Sequence, residues 1–123
     1  MKLRIKGNSI RLRLLRSEVD KFAADRKISE DVGFGASTLR YSLQMSPEAE
    51  SIEARFANNE IEVLIPEAAA RAWATNGDVG FETEQAIGNG ETLAIVIEKD
   101  FVCIDRPDDP DRDDAFPNPN VTC

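Results

Sequence analysis

The chain has 123 residues, 41% of them hydrophobic, which suits one domain with a single core and excludes two large ones. No apolar run approaches the roughly 20 residues that cross a bilayer, and the basic first residues lack the apolar segment of a secretory signal. We therefore expect a cytoplasmic protein without a membrane segment. The net charge of −8 disfavours a polyanionic partner for the molecule as a whole.

The first half of the chain predicts the order strand, strand, helix, strand, strand. Alternating polarity or β-branched and aromatic composition places the strands at residues 2–6, 10–14, 28–34 and 38–45. Gly7, Asn8 and Ser9 are typical of the turn of a hairpin. The helix is expected to begin at Ser17, with Asp20 completing a capping box, and to end near Lys27.

The second half predicts the same order of elements. Its strands are expected at residues 52–56, 61–65, 79–83 and 93–97. Pro66 is expected at the first helical position, followed by an alanine-rich helix that ends at a left-handed cap formed by Asn76 and Gly77. Gly88 and Gly90 flank the turn between the last two strands.

The two halves also share a pattern of side chains. A shift of 51 residues superposes their hairpins and helices, so that Phe22 falls on Trp73, and both are predicted to lie in the core. The tetrapeptide DVGF at residues 31–34 recurs at residues 78–81, after the helix in each half. Differences in shift between elements belong in the connections, where insertions are tolerated. This pattern indicates a tandem duplication.

From these elements we expect an α+β fold, a small pseudo-duplicated β-barrel that leaves no exposed strand edges. The domain would cover residues 1–104, with pseudo-repeats at 1–46 and 51–99. An acidic tail containing proline and asparagine would follow at residues 105–123.

Two stretches resemble proteins of a known class. The stretch KGNSIRLRLLRSEVDKFA, and IEVLIPEAAARAWATNGDVGF in the second half, resemble the swapped-hairpin barrels of AbrB and MazE type. Two identical chains make one barrel in those proteins, so this chain would be a pseudo-dimer of cradle-loop type. It departs from them at Leu15, which stands where Pro66 stands in the second half, and in its acidic second hairpin. The start MKLRIKGNSIRLRL and the later FPNPN also resemble a family of small bacterial proteins without an assigned function.

The first hairpin carries the candidate site, because its basic residues alternate on one expected solvent face. The AbrB and MazE resemblance implies a DNA-binding or antitoxin-like regulator in which this face meets the DNA backbone. Backbone recognition needs several cations on one face. The candidate residues are Lys2, Arg4, Lys6, Asn8, Ser9, Arg11 and Arg13. The alternative is that these cations pair internally with acids, for which the candidates are Glu53, Glu60, Glu62 and the acidic tail.

The tail DRPDDPDRDD at residues 105–114 offers a second candidate function. Its carboxylates favour a metal-binding protein or an orphan enzyme, and the residues concerned are Asp108, Asp109, Asp111, Asp113 and Asp114. It could instead fold onto a basic groove of a partner protein, or remain solvated with Phe116 in a surface pocket. Prolines disrupt the ligand spacing of a calcium loop, and without histidine the usual base for a nucleophile is absent. We therefore expect a non-enzymatic binding module, with no cofactor or resident metal.

The two cysteines are expected to be free thiols. Cys103 lies in the apolar run FVCI and is expected to be buried, and Cys123 is far from it in sequence.

Overall fold

The computed structural model describes residues 1–101 and 112–117, and within them the chain forms eight strands and two helices. The strands are β1 (Lys2–Ile5), β2 (Ser9–Leu14), β3 (Lys27–Gly33), β4 (Thr38–Ser46), β5 (Glu53–Ala57), β6 (Glu60–Pro66), β7 (Gly80–Gly88) and β8 (Glu91–Lys99). The helices are α1 (Arg16–Asp25) and α2 (Glu67–Thr75), and a 3₁₀ turn covers Arg112–Asp114. The predicted order of elements, taken twice, is confirmed.

The strands form two four-stranded sheets, and each sheet combines strands from both halves of the chain. One sheet has the order β1-β2-β8-β7, and the other has the order β3-β4-β6-β5. The outer pairs are antiparallel hairpins, whereas the central pairs, β2 with β8 and β4 with β6, are parallel. The fold is therefore α+β, with two sheets of corresponding strand order.

The registers of the two sheets also correspond. Ile10 lies opposite Ile95 in the first sheet, and Ile61 lies opposite Tyr41 in the second. A shift of 51 residues for the first hairpin of each half and of 54 for its last strand converts one pairing into the other. Both shifts follow from the sequence pattern.

The repeated tetrapeptide DVGF does not mark corresponding positions, which corrects one argument from sequence. Asp31 lies inside β3, opposite Arg40, whereas Asp78 lies before the start of β7. The ladders instead relate Ile28 to Phe81, because each lies opposite a residue of the last strand that the shift of 54 superposes. The recurrence of these four letters is independent of the correspondence between the sheets.

The core lies between the sheets and beneath both helices. Phe22 of α1 and Trp73 of α2 are almost completely buried and meet edge to face with ring centroids 6.4 Å apart, as predicted. Trp73 also packs against Phe81, and its indole N–H donates to the carbonyl of Val79 at 3.1 Å. Neither of the described helices has the length and hydrophobicity of a membrane span.

Among the described residues no strand ladder joins the two sheets, so the predicted closed barrel is not seen as a continuous set of ladders. Side chains bridge the edges instead. At one seam, the amide of Gln85 on β7 accepts from the N–H of Ala54 on β5 at 2.7 Å and donates to its carbonyl at 3.1 Å. At the other seam, the Tyr41 hydroxyl donates to the carbonyl of Met1 at 2.9 Å, and the Met1 ammonium contacts Glu30 at 2.7 Å.

The helix ends differ from the predictions. Helix α1 begins at Arg16, and the Glu18 carboxylate, not a Ser17 capping box, accepts the N–H of Leu15 at 2.8 Å. Pro66 is the last residue of β6 and precedes the first helical position of α2. Asn76 follows α2 in an extended conformation, so the predicted left-handed cap is absent there.

Candidate nucleic-acid interface

The first hairpin places its basic side chains together on the outer face of the first sheet. Leu12 and Leu14 of β2 are completely buried, so the alternating residues of the strand must point outward. The register sets Lys2 opposite Arg13 and Arg4 opposite Arg11. Like charges directly opposite one another repel, and the hairpin therefore concentrates positive potential on this face.

A cleft of about 230 Å³ lies at the turn end of this face. Arg4, Lys6, Ser9 and Arg11 line it. Three cations and a hydroxyl around one open cleft are the groups that contact phosphate oxygens in proteins. The cleft thus consists entirely of residues that the sequence pattern singled out.

Three of the five cations pair with acids of the last strand and of the residue that follows it. Glu98 on β8 accepts from Arg13 at 2.7 Å and from Arg11 at 3.4 Å. The Lys2 ammonium lies 2.9 Å from the Asp100 carboxylate. Internal pairing was the predicted alternative, and it holds for part of the hairpin.

The partners proposed for that alternative are wrong where the structure describes them. Glu53 pairs with Arg55 at 3.7 Å, and Glu60 accepts from the Ser42 hydroxyl at 2.7 Å, both in the second sheet. The parallel pairing of β2 with β8 explains this, because it sets Arg13 directly opposite Glu98. The tail acids at residues 105–111 lie outside the described residues.

Arg4 and Lys6 differ from the other cations of the hairpin. Both are exposed, and neither has an ion-pair or hydrogen-bond partner for its side chain within residues 1–101 and 112–117. Arg11 is held only by the longer contact to Glu98. Arg4, Lys6 and Arg11 are therefore the side chains that retain capacity for an anion.

Asn8 and Ser9 maintain the shape of the turn. The Asn8 amide donates to the carbonyl of Thr92 at 2.7 Å, and its own carbonyl accepts from the N–H of Ala94. The Ser9 hydroxyl donates to the carbonyl of Lys6. Asn8 thus fastens the turn to β8, while Ser9 lies at the wall of the cleft.

The corresponding hairpin of the second sheet has the opposite charge. At the shift of 51 residues Arg55 stands where Arg4 stands, but Glu62 stands in place of Arg11 and Glu60 in place of Ser9. The structure therefore has one basic hairpin face, and an acidic counterpart in the same position of the other sheet.

Lys99 is a buried cation that sequence reasoning missed. Its side chain is enclosed, with the residue 5% exposed, and the ammonium donates to the carbonyl of Asn76 at 2.7 Å. The ammonium also lies 5.7 Å from the ring centroid of Trp73 and 5.3 Å from that of Phe116. Burial lowers the pKa of Lys99, and nearby Asp78 partly opposes that shift. No local signal marks it, because Lys99 simply ends an apolar strand.

The described part of the tail docks on the same region. Phe116 is half-buried and packs edge to face against Phe101 with centroids 6.1 Å apart, a contact of the kind expected for a surface pocket. The Asp114 carboxylate accepts from the N–H of Ser17 at 3.0 Å and from its hydroxyl, at the first turn of α1. These hydrogen bonds hold the pKa of Asp114 below its ordinary value.

The carboxylates proposed for metal binding are mostly beyond view. Asp108, Asp109 and Asp111 lie outside the described residues, as do Cys103 and Cys123. Asp113 is exposed, and Asp114 is occupied by Ser17. Within residues 1–101 and 112–117 no three acidic side chains converge on a point where they could hold a metal ion.

Comparison with known proteins gives one match. The sequence model of a family of unknown function, DUF7009, matches residues 1–120. Neither a curated protein nor a solved structure matches the chain.

Proposed function

The chain belongs to the DUF7009 family of unknown function, and we propose from its geometry that it is a non-enzymatic binding module whose first hairpin contacts the phosphates of DNA. Its role would be that of a regulator or an antitoxin-like protein in the bacterial cytoplasm. Arg4, Lys6 and Arg11 make the phosphate contacts, and Ser9 lines the same cleft.

The observation that carries the proposal is the open cleft with two cations that no described acid neutralises. Side-chain cations that already pair with acids must exchange one partner for another, so they add little to phosphate affinity. Arg4 and Lys6 avoid this cost. The overall charge of −8 opposes long-range attraction, so binding would depend on this face and would be modest.

We also propose that the two halves arose by duplication and act as one pseudo-dimeric barrel of cradle-loop type. The corresponding strand orders and registers of the two sheets support this. The side-chain bridges between the sheet edges support a barrel-like assembly without continuous ladders. In such an assembly the acidic second hairpin has lost the phosphate contacts that the first hairpin keeps.

The test is a salt titration of binding to a short fluorescein-labelled DNA duplex, followed by anisotropy. Three phosphate contacts predict that log Kd rises with log salt concentration with a slope of about 3. The Arg4→Ala variant should weaken binding and reduce that slope by about 1. Addition of EDTA should leave Kd unchanged, whereas a metal-dependent site in the tail would respond to it.

Arg55→Ala is the matched control, because Arg55 occupies the corresponding position of the other sheet and is equally exposed. This variant should bind DNA like the parent chain. Equal losses for Arg4→Ala and Arg55→Ala, or a Kd that does not depend on salt, would refute DNA binding by the first hairpin.

A further inference from the structure

The two seams between the sheets are built from corresponding strands but are not equally closed. In the seam between β5 and β7, Gln85 satisfies both backbone groups of Ala54. The same register relations place Leu3 of β1 where Ala54 stands, and Val32 of β3 where Gln85 stands. Valine cannot form those hydrogen bonds, so the seam between β1 and β3 lacks the amide bridge.

The backbone of β1 is consequently free along its outer edge. The N–H of Lys6 donates to the carbonyl of Ser9 across the hairpin, so the backbone groups of Leu3 and Ile5 point away from β2. No described residue pairs with them. An edge of this kind is a template for one more strand.

Apolar side chains are exposed beside this free edge. The Met1 contacts to Glu30 and Tyr41 show that β1 and β3 are the neighbouring edges. Both strands run from those contacts toward the hairpin turns. Along that path Ile5 is 59% exposed, and Val32 and Phe34 are 40% and 67% exposed.

The other face of the same edge carries Arg4 and Lys6, which have no acidic partner among the described residues. The edge thus combines three features, namely free backbone groups, apolar side chains on the inner face and unpaired cations on the outer face. We propose that β1 receives an extended acidic segment of a partner protein, which adds a fifth strand to the first sheet. Its acidic residues contact Arg4 and Lys6, and its alternating apolar residues cover Ile5, Val32 and Phe34.

The probe is a synthetic peptide of about eight residues with alternating glutamate and valine, and binding is measured by calorimetry. Amide hydrogen exchange should slow at Leu3 and Ile5 when the peptide is bound. N-methylation of the peptide at the residues that face β1 should weaken binding by tenfold or more, because each lost backbone hydrogen bond costs about fivefold in affinity.

Two variants test the site itself. Val32→Gln introduces at this seam the residue that closes the other one, and it should reduce peptide affinity while leaving the chain folded. The double variant Arg4→Glu, Lys6→Glu should weaken binding about tenfold, and Arg55→Glu should not. Neither substituted cation is buried, so these variants are expected to fold.

Three results would overturn the proposal. The first is absence of binding at about 1 mM peptide. The second is equal affinity for a peptide of the same composition with its glutamates and valines in separate blocks. The third is exchange protection that avoids Leu3 and Ile5. The proposal does not rest on DNA binding: a chain that binds the peptide and not DNA refutes only the DNA proposal, and the reverse result refutes only this one.

Discussion

Replacement of Gln85 by leucine tests whether a single side chain joins the two sheets. The substitution removes two hydrogen bonds to Ala54, a residue that is only 9% exposed. Each bond contributes about 1 kcal/mol net, and leaving the two buried backbone groups unpaired costs somewhat more. We expect the free energy of unfolding to fall by about 2 to 3 kcal/mol.

The assay is urea unfolding of the Gln85→Leu variant, followed by circular dichroism. With a slope of about 1.5 kcal/mol per molar urea for a domain of this size, the midpoint should fall by about 1.5 to 2 M. Amide exchange at Ala54 should accelerate, since its N–H loses its acceptor. Gln44→Leu is the control, because the Gln44 side chain has no hydrogen-bond partner within the described residues. Equal changes in the two variants would show that the Gln85 bridge does not hold the sheets together.

Two further predictions concern the backbone approach in the first sheet and the docked tail. Gly80→Ala should destabilise the fold by about 3 kcal/mol, because its Cβ would lie 1.9 Å from the carbonyl oxygen of Ile97, and Gly77→Ala, with open space around it, should not; equal unfolding midpoints would contradict this. The Asp114 pKa is lowered by its bonds to Ser17, so docking should be complete above the ordinary aspartate pKa and lost as pH falls through the lowered one. NMR of the Ser17 amide should follow that transition, and Asp114→Asn should abolish it.

Much of the fold was predictable because the strands obey a simple alternation. Burial of Leu12 and Leu14 follows from their period of two, and the shift of 51 residues correctly relates the two hairpins. The same pattern identified every residue that lines the basic cleft. These successes rest on local periodicity, which the sequence displays directly.

The failures concern partners that are distant in sequence. Glu98 neutralises Arg13 because β2 and β8 pair in parallel, and nothing near either residue announces that pairing. Ser17 is bonded by Asp114 from the far end of the chain, so its role as a helix cap was mistaken. The DVGF repeat misled for the opposite reason, because identical letters fell at different positions relative to the strands.

The parallel pairs at the centre of both sheets have a consequence for how the chain can be divided. Neither half owns a whole sheet: β2 requires β8, and β4 requires β6. A break in the connection between β4 and β5 would yield two fragments, each with its hairpins but without central neighbours. Such fragments should be unstructured alone and recover the fold by complementation when mixed. A half that encounters only its own kind has one way to satisfy its strands, which is to exchange hairpins with a second copy of itself.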